Sequence, residues 1–171
     1  IGSTLGESFF RESLIALAVA FLFMGLVVFI YFRSFTPSIA IILSAFSDMV
    51  VALAVINLMD VRIGTAGIAA FLMLIGYSVD TDILLSVRVL KRKEGTIMDR
   101  IISSIKTGMT ETITAIVAVT VAMLVTQSEV IRQIMLILLI GLIADIFNTW
   151  IQNVGLLRMY IERKAKKGVI I

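Results

Sequence analysis

The chain has 171 residues, 60% hydrophobic and only 16% charged, with mean hydropathy +1.08 and formal charge +3. A soluble domain carries about a quarter charged residues, so a water-soluble globule is excluded. Cysteine and histidine are absent, which removes disulfides, thiol chemistry and zinc or haem ligation, so no metal or cofactor is expected. Proton chemistry falls to carboxylates. The apolar residues form runs near the roughly 20 residues that cross a hydrocarbon core about 30 Å thick. They lack the dyad alternation of barrel strands, so the fold class is an all-α membrane protein with five transmembrane helices.

The chain starts at Ile1 without a basic n-region, unlike a signal peptide. Residues 1–12 are read as the end of a missing extracytoplasmic domain, in a fragment that lacks its upstream portion. The five-helix domain covers 13–157. Its first span is 13–32, followed by a turn in which Pro37 suits the start of the next helix. The second is 39–59, interrupted by Asp48, and the third 63–87, long enough to tilt. A cytoplasmic amphipathic helix is expected over 94–107, where Ile97, Ile101 and Ile105 repeat at i+4. Thr96 and Asp99 resemble a capping box there. This helix is expected at the membrane surface or packed beneath the bundle. The fourth span is 108–125, the fifth 133–157, and a basic cytoplasmic tail covers 158–171.

Orientation follows from the basic residues. Arg33, Arg88, Lys91, Arg92, Lys93, Arg100, Lys106, Arg158, Arg163, Lys164, Lys166 and Lys167 fall on one side, leaving Arg11, Arg62 and Arg132 of the 15 on the other. The rich side is taken as cytoplasmic. The first residues then lie outside and the C-terminus inside a multi-pass cell membrane protein. The positive charge reads as topology and lipid contact, not nucleic-acid binding.

Four acids interrupt the apolar spans: Asp48, Asp80, Asp82 and Asp145. An intramembrane Asp costs on the order of 3 kcal/mol on insertion scales and is a functional candidate by default. Desolvation favours the neutral acid, and a carboxyl able to hold and release a proton is what a proton-coupled machine needs. All four are therefore proton-pathway candidates; the alternative for each is that it ties helices together by hydrogen bonds, a reading that weighs more for Asp82 and Asp145 than for Asp80. Asp80 and Asp82 are roughly 200° apart on a helix and cannot share a face. Gly76, one turn before Asp80, is a close-packing position for another helix, and Ser86 is a possible local partner of Asp82. Thr107, Thr110 and Thr114 form a polar seam on the fourth span, read either as interhelical glue or as a path for water towards Asp80.

The run Gly76-Tyr77-Ser78-Val79-Asp80-Thr81-Asp82-Ile83-Leu84-Leu85-Ser86-Val87-Arg88 resembles the fourth-helix signature of the SecF family of protein-export subunits, in its archaeal form. Gly2-Ser3-Thr4-Leu5-Gly6-Glu7 is similar to the family's entry into its second helix. Asp48 matches the acid of its third helix, and 107–114 is similar to the start of its fifth. The resemblance implies helices two to six of a six-helix bundle of the resistance-nodulation-division (RND) type. It further implies a non-enzymatic subunit that pairs with SecD, assists the Sec translocon channel in moving a translocating polypeptide across the lipid bilayer, and uses protons of the proton motive force. By the same resemblance Asp80 is the leading proton site. Two departures stand beside it. Bacterial members carry Asn-Asp where this chain has Asp80-Thr81, and they carry an arginine near the position of Thr110. An independent solute or lipid exporter of the same superfamily, and a structural subunit without proton coupling, remain open at this point.

Overall fold

The computed structural model describes the backbone of residues 2–91 and 95–166 and the side chains of 8–91 and 95–164. Arg92, Lys93, Lys167, the residue 94 start of the amphipathic segment, the end of the basic tail and the side chains of Gly2–Glu7 and Lys166 lie outside the described residues.

Among the described residues six α-helices run in chain order: α1 (Gly2–Phe32), α2 (Phe35–Leu58), α3 (Thr65–Lys91), α4 (Ile97–Val125), α5 (Glu129–Phe147) and α6 (Val154–Lys166). A π-helical turn, Asn148–Asn153, joins α5 to α6 as one continuous rod. Among the described residues five rods are thus long and apolar enough to cross a membrane, as expected for an all-α membrane protein. Each one satisfies its backbone groups internally, as lipid requires.

Local chemistry sets the helix starts. Ser34 is extended ahead of α2, and Pro37 falls in the first turn, where a missing N–H costs nothing. Thr96 caps α4 as the sequence suggests: its N–H donates to Asp99 Oδ2 at 2.9 Å and the Asp99 N–H donates to Thr96 Oγ1 at 3.2 Å. The Ser128 hydroxyl accepts from the Ile131 N–H at the start of α5.

The helix ends depart from the expected spans by several residues, most of all at two places. The first helix begins at Gly2, ahead of the expected span at 13. The amphipathic segment is also no separate element: Ile97–Val125 is uninterrupted. Its first turns form the lower part of α4 because Ile101 buries against Leu85, Val89, Leu157 and Ile161. Packing there carries the helix straight into the bundle.

Helices α3 and α5 form the centre, with α2 and α4 on their flanks and α1 against α2 and α3. One apolar cluster, including Ala52, Ile56, Phe71, Leu74, Val119, Ile137, Leu138 and Leu142, fills the half nearer the 59–64 and 126–128 connections. The second, around Leu85, Val89, Ile101, Leu157 and Ile161, fills the other half. Close helix approach is made by Gly141, where a β-carbon would overlap the Leu74 side chain, and by Gly108, which lies under the Trp150 ring. Such small-residue contacts replace the hydrophobic driving force that lipid does not supply.

The basic end of the bundle is tied by side chains. Lys91 Nζ sits 3.6 Å over the Tyr31 ring, and the Ser34 and Tyr160 hydroxyls are 3.0 Å apart. At the opposite end Gln133 donates to the Arg62 carbonyl.

Candidate functional site

Between the two apolar clusters lies a polar layer. Asp48 from α2, Asp82 from α3 and Asp145 from α5 are all 0% exposed. Ser78 Oγ donates to Asp48 Oδ2 at 2.5 Å, and Asn148 Nδ2 donates to Asp48 Oδ1 at 2.7 Å. Asn153 Nδ2 donates to Asp82 Oδ1 at 2.6 Å. Thr149 Oγ1 lies 2.9 Å from both Asp82 Oδ1 and Asp145 Oδ1. Asp145 also stands against Asp48 and Ser78, so the three carboxyls form one connected group. Among the described residues no lysine or arginine is buried, and no group of acids is arranged to hold a metal ion.

The π turn builds this layer. In a straight α-helix, eight residues end about 80° beyond two full turns, which would swing Asn153 away from the face of Asp145. The wider π turn absorbs that rotation. Asp145, Thr149 and Asn153 then share one face, and Leu157 and Ile161 still reach the lower apolar cluster.

Three of the four acids singled out from sequence are thus brought together, and Asp80 is not among them. It is exposed on the outer side of α3, in a shallow notch lined by Met73, Gly76, Tyr77, Val79, Asp80 and Ile83. No helix among the described residues packs closely on Gly76: a β-carbon there meets nothing within 4 Å, because Gly76 faces outward while Leu74 and Ser78 face in. The suggested Asp82–Ser86 pairing is likewise absent among the described residues. Ser86 Oγ has no partner, and Asp82 turns to Thr149 and Asn153.

The threonine seam lies on the open side of α4. Thr107, Thr110 and Thr114 are exposed, and their hydroxyls donate to Ser103, Lys106 and Glu111 carbonyls of their own helix. Arg88 crosses from α3 to this face, donating to Thr107 Oγ1 at 2.8 Å and to the Ser103 carbonyl at 2.9 Å. Ser104, Gly108 and Thr112 take the inward positions instead.

Sequence reasoning missed Asn148, Thr149, Asn153 and Ser78. A signal was available: in Asp145-Ile146-Phe147-Asn148-Thr149-Trp150-Ile151-Gln152-Asn153, polar residues recur four apart from an acid, inside an apolar span. The π turn itself had no local signature.

The class defined by this fold and layer is a multi-pass helical membrane protein with carboxyl groups enclosed in its bundle. A family model described as "Protein export membrane protein SecD/SecF, C-terminal" matches residues 1–163, and the chain belongs to that family. It is 46% identical to the protein-export membrane protein SecF of Methanocaldococcus jannaschii, with 98% of this chain and 61% of that protein covered. With the SecF of Thermococcus gammatolerans the identity is 47%, covering 99% of this chain and 54% of the relative. With that of Pyrococcus furiosus it is 44%, covering 98% and 56%. The chain therefore spans a little over half the length of these curated relatives.

Proposed function

We propose that this chain is the membrane region of an archaeal-type SecF subunit that pairs with SecD and assists Sec-dependent protein translocation, driven by the proton motive force. Support for the export role is the family match across 1–163 and the similarity to SecF proteins. In this reading the basic end of the bundle is cytoplasmic, following the excess of Lys and Arg there.

The observation that carries the pairing is the outer face of α3. Asp80 and Gly76 are exposed on a helix whose other face is fully packed. An acid placed towards lipid alone is costly, and a glycine with open space above it admits the close approach of another helix. SecD is the occupant proposed for that face, with Asp80 as a proton-pathway residue at the junction and the Thr107, Thr110 and Thr114 side of α4 beside it. Asp48, Asp82 and Asp145 are the acids of the interior.

The test is co-purification of full-length SecF, wild type and Asp80→Asn, with SecD and the Sec channel, followed by proton-driven export in vesicles. The expected result is an assembled complex in both cases, with stimulation of export lost in the variant. Normal stimulation by Asp80→Asn removes Asp80 from the proton path. Failure of the wild type to bring down SecD removes the pairing.

A further inference from the structure

The hydrogen bonds of the interior layer do not add up unless it holds a proton. Both oxygens of Asp48 receive donors, from Ser78 and Asn148, as an ionised carboxylate requires. Asp82 Oδ1 receives Asn153 Nδ2 at 2.6 Å and faces the Thr149 hydroxyl at 2.9 Å. The same hydroxyl is 2.9 Å from Asp145 Oδ1, yet a hydroxyl has a single proton to donate. Asp82 Oδ1 is already an acceptor for an amide, so it is the oxygen that takes the Thr149 proton. The contact to Asp145 is a hydrogen bond only when Asp145 carries a proton and donates it to Thr149 Oγ1.

A second observation points the same way. Ser44 Oγ, Asn153 Oδ1, Asp82 Oδ2 and Asp145 Oδ2 are all buried and lack hydrogen-bond partners among the described residues. A buried carboxyl oxygen without a donor costs more when the group is ionised than when the group carries a proton. Three carboxylates without a cation in an apolar interior also carry a heavy desolvation cost that a bound proton reduces.

We propose that the interior layer is a proton-binding site in which Asp145 holds a proton, Thr149 relays it and Asp82 receives it. In the relay, the Asp145 Oδ1–H bond breaks as a new O–H bond forms on Thr149 Oγ1. The original Thr149 O–H bond breaks as Asp82 Oδ1 gains a proton, and the negative charge moves from Asp82 to Asp145. Thr149 takes part directly through its hydroxyl and ends the step unchanged. The groups facing the site are Ser44 and Asp48 from α2, Ser78 and Ser86 from α3, and Asn148 and Asn153 from the π turn. From α4 the inward polar groups are Ser104 and Thr112, without charge. The use of this proton in export rests on the function proposed above; the site itself does not.

The experiment is infrared spectroscopy of the full-length protein in lipid at neutral pH, following the carboxylic-acid C=O band and its shift in heavy water. The wild type is expected to show a protonated carboxyl that Asp145→Asn removes and Asp80→Asn leaves in place. Thr149→Val is expected to shift the band, because its hydrogen-bond acceptor is gone, and Thr149→Ser to restore it. A band that survives Asp145→Asn, or that stays in place in Thr149→Val, overturns the proposal. Should Asp145→Asn fail to fold, the Thr149 pair decides alone. Proton-driven export by the same variants is scored separately. The expected band changes with export unaffected establish the site and reject its role in export.

Discussion

Asp80 and Asp82 are two residues apart on α3, and the bundle gives them opposite surroundings. Asp82 is enclosed between an amide, a hydroxyl and two further carboxyls. Asp80 lies in an open notch beside a glycine, with no other helix among the described residues above it. The inner acid has its partners supplied by the described helices, whereas the outer acid faces an open position. The same helix thus carries an enclosed polar site on one face and an open surface on the other.

Substitutions that distinguish the two faces test this contrast. The largest effect is expected from Gly141→Leu, which drives a side chain into Leu74 on the inner face of α3. Overpacking of this kind costs about 1–3 kcal/mol or more, read as a lower unfolding temperature in detergent. A variant as stable as wild type would show that the α3–α5 contact is loose. Next comes Thr149→Val, which leaves buried carboxyl oxygens without their shared hydroxyl. About 1–3 kcal/mol is expected, with Thr149→Ser close to wild type; equal losses in both would assign the cost to methyl packing instead.

On the outer face the expected effects are smaller and of different sign. Gly76→Ala meets open space in this chain, so it stabilises the isolated protein by up to roughly 1 kcal/mol through helix propensity. If SecD packs there, the same change weakens co-purification. Stabilisation without any loss of partner would remove Gly76 from the proposed interface. Asp80→Asn is expected to change the stability of the isolated chain by no more than about 0.5 kcal/mol, as for exposed sites without buried partners. A large loss of stability would move Asp80 into the structural class that Asp82 occupies.

Much of the fold was legible because lipid imposes strict rules. Long apolar runs, Pro37 at a helix start and the Thr96–Asp99 cap each have a local cause, and each is found in the structure. The acids were also legible as exceptions to the apolar runs. Their grouping was not, since intramembrane position alone cannot tell which side of a helix meets its neighbours. Asp80 carried the most specific family motif, yet Asp82, which reads as its lesser companion, occupies the interior. Thr149 and Asn153 were overlooked because polar residues late in a span read as ordinary interfacial or packing residues until the π turn places them against Asp82.

By itself, the sequence determined that this is a five-span helical membrane protein, since the cost of unpaired backbone and charge in hydrocarbon leaves little choice. It also fixed the separation of Asp80 from Asp82, a consequence of helical periodicity alone. Tertiary structure decided which of those faces turned inward and which three acids met. The close approaches at Gly141 and Gly108 set how the helices rotate, and the π turn set the register of the last rod. Both arise from contacts between residues distant in the chain, where no local pattern records them.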